Sequence, residues 1–491
     1  MWQKTQTQIW MIVLTVIISF ISIFPNEFVW DDEDLIVNWE AIRSYKNIPA
    51  SFIAPTHPSY LDTYRPIRFV LATVTYSLFG ENPTGYHITT IAIHLACTLL
   101  LYFILKKLTN EPHVPFLTSL LFGVHPVHTE AITWISSGLD MIGIVFLLLS
   151  LYYFLKDSPK HFGGHISITY ALLAYFSLEL TVIFPALLAL ILWMQHKHST
   201  WRTFRPIIPY GIGAITFLLL RQMFVPVHGE FVYIDGNILL TMMTMSKAFL
   251  VYLSALISPV NLTVNHALGN GISSFMVEIS NDFPQVLTAI RAQRLTDSSV
   301  IMTILILVGS ATTAIIARKN NPLITLAIGW TLLALLPVSN IIPIHTLMAE
   351  RYLYLSSFGF CLLLSVLYGY IVRTKPYGKK LGIIAISCLT IWYMILTIQR
   401  NIEWKNNLSL WQTAVERNST SYIASVALGK QYLLKNDLSR ATQTYENIHK
   451  IYPKHKALTI FLTNLYTHQK LYQKALQLDP TNATAKNVLA Q

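Results

Sequence analysis

Four acidic residues stand in a row, Asp31, Asp32, Glu33 and Asp34, just past the apolar run of residues 9–24. Like charges this close cannot all ionise freely, and a carboxylate near lipid is costly, so we expect at least one raised pKa. Such a group at a membrane surface could be a general base acting on a lipid-linked substrate. An acidic collar on a solvated loop fits these four residues equally well.

Two arginines and two further acids lie in or beside other apolar segments. Arg65 and Arg351 could each hold a phosphate, because a guanidinium binds its oxygens in a fork. Arg65 could instead pair with an acid or anchor the chain at the interface, and Arg351 could form a structural pair with Glu350 or Asp140. Asp140 and Glu179 need a partner or a water-filled cavity if they lie near lipid.

Three potential metal ligands, His125, His128 and Glu130, fall within six residues. Zinc accepts imidazole and carboxylate ligands, but Pro126 separates the two histidines and no helical spacing of ligands is present. We therefore predict no metal site and interpret these three side chains as a polar cluster that lines an outward cavity.

The composition indicates a membrane protein. Of the 491 residues 53% are hydrophobic and only 12% are charged, against about 25% charged in a typical soluble protein. The net charge of +11 reflects an excess of basic residues, which in a membrane protein indicates cytoplasmic loops rather than nucleic-acid binding. Three cysteines inside apolar segments suggest neither a disulfide framework nor a zinc ribbon. We predict an all-α, polytopic helical bundle.

Residues 1–399 are predicted to form a membrane domain of about eleven spans with a retained first span. Basic residues in alternate loops place the first outer loop, residues 25–84, and the C-terminal tail on the extracytoplasmic side. The apolar stretch 167–195 is expected to be two short helices that meet at Glu179. The stretch 239–257 contains Lys247, so we expect it at the interface or re-entering the membrane.

Residues 404–491 are more polar and are predicted to form extracytoplasmic tetratricopeptide repeats. Small residues at 429 and 441 would let two antiparallel helices approach closely, although a generic helical hairpin is also compatible with the pattern. So few repeats should either dock on the membrane domain or be a remnant. The positions that keep the repeat spacing are Leu428, Gly429, Tyr432, Ala441, Tyr445 and Pro453.

These motifs occur in one order along nearly the whole chain. They are the acidic pair, Tyr64-Arg65-Pro66, Gly85-Tyr86-His87, the Phe122 to Ala131 stretch, Pro337 to Asn340, Glu350 to Leu355 and the trailing repeats. In this combination the chain resembles the transmembrane-and-tetratricopeptide-repeat O-mannosyltransferases and their prokaryotic relatives. That family belongs to the type-C glycosyltransferase superfold.

The resemblance implies a polyprenyl-phosphate sugar donor, usually dolichyl-phosphate mannose, and a protein Ser or Thr hydroxyl as acceptor. It assigns Asp31 as the general base of an inverting transfer and Asp32 as the second acid. Arg351, with Arg65, would bind the donor phosphate, and no cofactor would be needed because the donor arrives activated. Expected partners are membrane lipid, the donor, and an acceptor polypeptide or partner protein held by the repeats.

Two departures from the family pattern are present. Gly138 stands where the family often has an arginine, and Leu178 stands where it often has a lysine. An inactive membrane scaffold that carries repeats therefore stays open, as does a transporter of a lipid-linked sugar. The membrane would be the plasma membrane in a prokaryote and the endoplasmic reticulum in a eukaryote.

Overall fold

The structure is a computed structural model that describes residues 2–55, 63–156, 164–196, 200–225, 233–268, 283–344 and 346–490. These residues form α-helices, short 3-10 and π turns and connecting loops, with no β-strand among them. The predicted all-α class is therefore confirmed.

Seventeen α-helices precede residue 404 in the described part of the chain. They are α1 Trp2–Phe20, α2 Pro66–Phe79, α3 Pro83–Leu108, α4 Val114–Val124, α5 Thr129–Thr133, α6 Ile135–Asp140, α7 Ile142–Lys156, α8 His165–Tyr175, α9 Phe184–Gln195, α10 Trp201–Phe204, α11 Ile208–Phe224, α12 Ile238–Ile257, α13 Pro284–Arg291, α14 Ser298–Asn320, α15 Pro322–Leu335, α16 Leu353–Thr374 and α17 Gly378–Glu403.

Eight helical segments in the described residues are long and apolar enough to cross a membrane: Thr5–Ile23, Pro83–Leu108, Ile135–Lys156, Trp201–Phe224, Ile238–Ile257, Ser298–Asn320, Glu350–Thr374 and Gly378–Glu403. Shorter apolar helices lie at Pro66–Phe79, Val114–Val124, Glu179–Gln195 and Pro322–Val338. A multi-pass membrane protein follows from these lengths, since about 20 apolar residues span a bilayer as a helix. The count of eleven spans and the interfacial position of 239–257 stay predictions.

The expected break in the apolar stretch 167–195 is confirmed. α8 ends at Tyr175, a 3-10 turn begins at Glu179, and α9 starts at Phe184. The turn places Glu179 at the same end of the bundle as the loop that follows α1, because Tyr64 of that loop donates its backbone N–H to Glu179.

Six helices follow residue 404: α18 Asn407–Arg417, α19 Tyr422–Leu434, α20 Leu438–Ile451, α21 Lys456–His468, α22 Tyr472–Leu478 and α23 Ala483–Leu489. α19 and α20 pack closely, because a Cβ added at Gly429 would lie 2.5 Å from the Tyr445 ring. The close approach predicted for that position is confirmed, while the assignment of these hairpins as tetratricopeptide repeats stays a prediction.

The C-terminal helices dock on the loops that follow α1 and α12. Asn407 Oδ1 accepts from the Trp30 backbone N–H at 2.8 Å, and the Asn418 side-chain amide donates to the Asn265 carbonyl at 3.3 Å. Trp411 of α18 is buried in the same apolar cluster as Val29, Leu262 and Val264 of these loops. Of the two alternatives for so few repeats, docking on the membrane domain or a remnant, the structure thus shows docking.

An apolar crevice of about 550 Å³ lies between α1, α4 and α17. It is lined by Gln8, Met11 and Thr15 along α1 and by His113 beside the start of α4. The four consecutive acids, residues 31–34, are not among the residues that line this crevice.

Candidate active site

The loop after α1 turns sharply at Trp30, whose φ of 56° lies in the left-handed region that is costly for a bulky residue. Packed contacts hold the turn. The indole stacks on Trp134 with 4.7 Å between ring centroids and meets Trp411 edge-on, and its backbone N–H donates to Asn407 Oδ1 at 2.8 Å. Asp31 directly follows this turn, so its position is set by the fold.

Asp32 is completely buried and bonded on both carboxyl oxygens. Oδ1 accepts from the backbone N–H of Ser136 at 2.8 Å and from its hydroxyl at 2.5 Å, and Oδ2 accepts from the Val29 N–H at 3.1 Å. Burial raises the pKa of Asp32 to about 7, with the Asp31 charge as a smaller cause. A raised pKa in this row was predicted, and this carboxyl has no surface for contact with a substrate.

Asp31 and Arg351 lie at one site although they are far apart in the sequence. The Arg351 guanidinium lies 5.2 Å from the centroid of the Trp134 ring, the same ring on which Trp30 stacks. The charge of Asp31 acts on Arg351. Asp31 is partly exposed, and Arg351 keeps 21% of its side-chain surface exposed. Both therefore border space that solvent can reach.

Arg351 pairs with Glu130 and not with Glu350 or Asp140, the two partners expected for a structural pair. Arg351 Nη1 donates to Glu130 Oε1, and Glu130 Oε2 accepts from the backbone N–H of Glu350 at 2.9 Å. The Glu350 carboxylate turns away toward Arg400, at 3.4 Å. A guanidinium carries five N–H groups, so a pair with one carboxylate leaves it able to bind a phosphate as well.

Arg65 bridges Asp140 and Glu179, the two acids found beside apolar segments. Its Nη1 lies 2.6 Å from Asp140 Oδ2, and its Nε lies 2.7 Å from Glu179 Oε2. Arg65 is 26% exposed. The partner that Asp140 and Glu179 each required is thus this arginine, and Arg221 of α11 adds a further positive charge near Glu179.

Arg68 is a site residue that sequence reasoning missed. It is buried, and its Nε lies 3.1 Å from Asp140 Oδ1. Its guanidinium also interacts electrostatically with Asp31 and Asp32. The available signal was the spacing from Arg65, because two residues three apart at the start of a helix share one face. Arg68 therefore gives Asp140 a second cationic neighbour beside Arg65.

Gly138 and Leu178, the two departures from the family pattern, both lie in closely packed parts of the bundle. A Cβ at Gly138 would lie 2.4 Å from Thr90 Cγ2, so α3 and α6 approach too closely for any side chain without a shift. Leu178 is buried in the apolar core and packs against Gly143. The cations near Asp140 and Glu179 are therefore Arg65 directly before α2, Arg68 of α2 and Arg221 of α11, and not side chains at positions 138 and 178.

The two histidines of the polar cluster do not line an outward cavity, so that prediction is wrong. His125 hydrogen-bonds to the Leu256 carbonyl at 3.1 Å, and His128 hydrogen-bonds to the Ser357 hydroxyl at 2.7 Å. Both have no exposed surface, and Glu130 is 1% exposed beneath Arg351. His125 Nδ1 also accepts from the Val127 N–H at 3.2 Å, whereas His128 Nδ1 is buried without a hydrogen-bond partner in the part of the chain that the structure describes. In the described ranges no three His, Cys, Asp or Glu side chains are grouped to hold a metal ion.

Comparison with known proteins points to one family. A family model described as dolichyl-phosphate-mannose-protein mannosyltransferase matches residues 57–227. Protein O-mannosyl-transferase F38B6.6 of Caenorhabditis elegans is 25% identical over 455 residues, which cover 90% of this chain and 62% of the relative. Protein O-mannosyl-transferase TMTC4 of Homo sapiens is 23% identical over 488 residues, covering 87% and 64%. The chain thus spans a little over three fifths of these relatives.

A third relative matches a shorter region: protein O-mannosyl-transferase TMTC2 of Mus musculus is 33% identical over 101 residues, which cover 21% of this chain and 12% of the relative. Among solved structures, the Archaeoglobus fulgidus oligosaccharyltransferase tethered to an acceptor peptide superimposes with a TM-score of 0.42 at 11% identity. That match covers 82% of this chain and 56% of the other.

Proposed function

We propose that this chain, which is similar to protein O-mannosyl-transferases, transfers a sugar, mannose, from a polyprenyl-phosphate carrier to protein Ser or Thr hydroxyls. The transfer would take place on the extracytoplasmic side of the membrane. The observation that carries this proposal is the shared, partly exposed site of Asp31 and Arg351, with the Trp134 ring packed against Trp30 and Arg351.

In the proposed reaction Asp31 accepts the proton of the acceptor hydroxyl as its oxygen attacks C1 of the sugar. The bond from C1 to the phosphate oxygen breaks, and the polyprenyl phosphate leaves with the electron pair. Attack from the face opposite the phosphate inverts the configuration at C1. The donor arrives already activated, so no cofactor takes part.

Arg351 would stabilise the charge that develops on the leaving phosphate. It is partly exposed and already fixed by Glu130, so it needs little reorganisation to meet a phosphate. Arg65 lies on the same side and is the second candidate, although its donation to Asp140 and Glu179 occupies two of its nitrogens. We assign Arg65 the role of holding Asp140 and Glu179 in place, and Arg351 the role of binding the donor phosphate.

Asp32 would not contact the acceptor, since its carboxyl is fully buried against Ser136. Its proposed role is to anchor the loop that carries Asp31. The docked C-terminal helices would hold the acceptor polypeptide or a partner protein close to this site, with membrane lipid around the bundle.

The test is sugar transfer by the full chain in proteoliposomes, with dolichyl-phosphate mannose as donor and a Ser/Thr-rich peptide as acceptor. Asp31→Asn is expected to lower transfer by about a hundredfold or more, because removal of a general base costs this much. Asp34→Asn is the matched control: it alters an exposed acid of the same row and should leave the rate unchanged. Equal rates for the two variants would contradict the base assignment.

The same preparation tests the arginine. Arg351→Ala should weaken donor binding by about tenfold or more, the worth of a charge-assisted contact. Arg373→Ala is the control, because Arg373 also pairs with a glutamate but lies at the opposite end of α16. A wild-type protein that binds a partner through its C-terminal helices yet transfers no sugar would favour the scaffold.

A further inference from the structure

The side chain of Asn407 holds the acidic loop at two points. Its Oδ1 accepts from the Trp30 backbone N–H at 2.8 Å, and its Nδ2 donates to Glu33 Oε1 at 3.0 Å. These two bonds, here called the Asn407 clamp, enclose Asp31 and Asp32 in the sequence. The clamp joins the C-terminal helical segment to the loop that carries the proposed base.

α18, which begins with Asn407, is itself fixed to the membrane part at both ends. At its start the Ser409 hydroxyl donates to the carbonyl of Glu403, the last residue of α17, at 3.0 Å, and Asn406 caps the helix by accepting from the Ser409 N–H at 3.0 Å. At its far end Arg417 contacts both carboxylate oxygens of Glu403, at 2.7 Å and 2.5 Å. The clamp is therefore mounted on a rigid element rather than on a mobile tail.

The turn at Trp30 requires such a support. A non-glycine residue in the left-handed region costs about 1–3 kcal/mol, and it persists only when its surroundings hold it. The Asn407 bond is a polar contact to this backbone, beside the bond across the turn from the Asp32 N–H to the Val29 carbonyl at 3.1 Å, and Trp134 and Trp411 supply apolar contacts. If the turn relaxed, the first group displaced would be the neighbouring residue, Asp31.

We propose that Asn407 is a positioning residue for the transfer reaction: it holds the Trp30 turn and so keeps Asp31 in place to accept a proton. Transfer then depends on whether the C-terminal helices are docked. The inference rests on the proposed function and deepens it, since it assigns the C-terminal segment a part in the chemistry besides binding a partner.

The test compares Asn407→Ala with Gln412→Ala in the full chain. Gln412 lies on the same helix and is exposed, and among the described residues its side chain bonds to Glu416 of that helix. We expect Asn407→Ala to lower kcat about tenfold or more while donor affinity stays within about twofold, because a small displacement of a reacting group affects rate more than binding. Gln412→Ala should behave as wild type.

A second measurement reports the loop itself. Backbone hydrogen exchange should rise in residues 28–37 of Asn407→Ala and stay unchanged in residues 263–268, where the Asn265 carbonyl accepts from Asn418 at the distant end of α18. An unchanged kcat, or a loss of kcat with equal loss of donor affinity and general melting, overturns the inference. If kcat is unchanged while Asp31→Asn still abolishes transfer, the inference fails alone. If wild-type protein transfers no sugar, both fall.

Discussion

The four consecutive acids, residues 31–34, differ in burial and hydrogen bonding although they are adjacent in the sequence. Asp32 is buried against Ser136, Glu33 is bonded to Asn407, and Asp34 is exposed. The row of carboxylates predicted that one pKa would be raised, and it did not indicate which one. That choice depends on Ser136, which lies 104 residues further along the chain, so no local pattern could reveal it.

The buried carboxyl predicts a specific dependence of stability on pH. Burial raises the pKa of Asp32 from 3.8 to about 7, so the folded state binds this proton more tightly than the unfolded chain. Its stabilisation is full below about pH 3.8 and is lost as pH rises toward about 7. We expect the melting temperature of Asp32→Asn in detergent to vary less over this range than that of wild type. An identical slope in both proteins would contradict this.

At the scale of helices, the sequence located the apolar segments well and their contacts poorly. The break at Glu179 follows from one charged residue in a long apolar stretch. In contrast, α2 was hidden inside the loop 25–84, because 14 residues are too few to indicate a span. The burial of His125 and His128 was missed for a related reason: their partners, Leu256 and Ser357, come from distant helices.

The contact between α3 and α6 leads to a test of packing. Gly138→Ala should destabilise the protein by about 1–3 kcal/mol, because the added methyl group meets Thr90 at 2.4 Å. Thr90→Ser removes the obstructing methyl group and should restore part of the loss. Gly309→Ala is the control: it has nothing within 4 Å and should be neutral or slightly stabilising. Melting temperatures of the four proteins decide, and a stable Gly138→Ala would refute the close contact.

At the scale of the whole molecule, the structure brings the loop after α1, the start of α16 and the C-terminal helices to one end of the bundle. The order of motifs predicted that Asp31 and Arg351 would share a site, and the two do lie together. The Glu130 partner of Arg351 and the contribution of Arg68 were not predictable, because both depend on how non-consecutive helices pack.

The orientation of this end of the bundle can be measured by labelling. In a Cys388→Ser background, Asp34→Cys and Lys379→Cys place single exposed thiols at opposite ends of the helices. Because basic residues favour the cytoplasmic side, we expect a membrane-impermeant maleimide to label position 34 in intact cells and position 379 only after permeabilisation. The reverse pattern would place the acids in the cytoplasm and exclude the proposed topology.

The Asn407 clamp also bears on how the protein should be produced. Asn407, Leu408 and Ser409 form an N-glycosylation acceptor sequence, and the oligosaccharide would be attached at the amide nitrogen that donates to Glu33. A host that glycosylates chains as they enter its secretory pathway would place a bulky glycan where the acidic loop packs. A host without that machinery leaves the nitrogen available to bond Glu33. The choice of expression host therefore decides whether the acidic loop is held by Asn407 or displaced by a glycan.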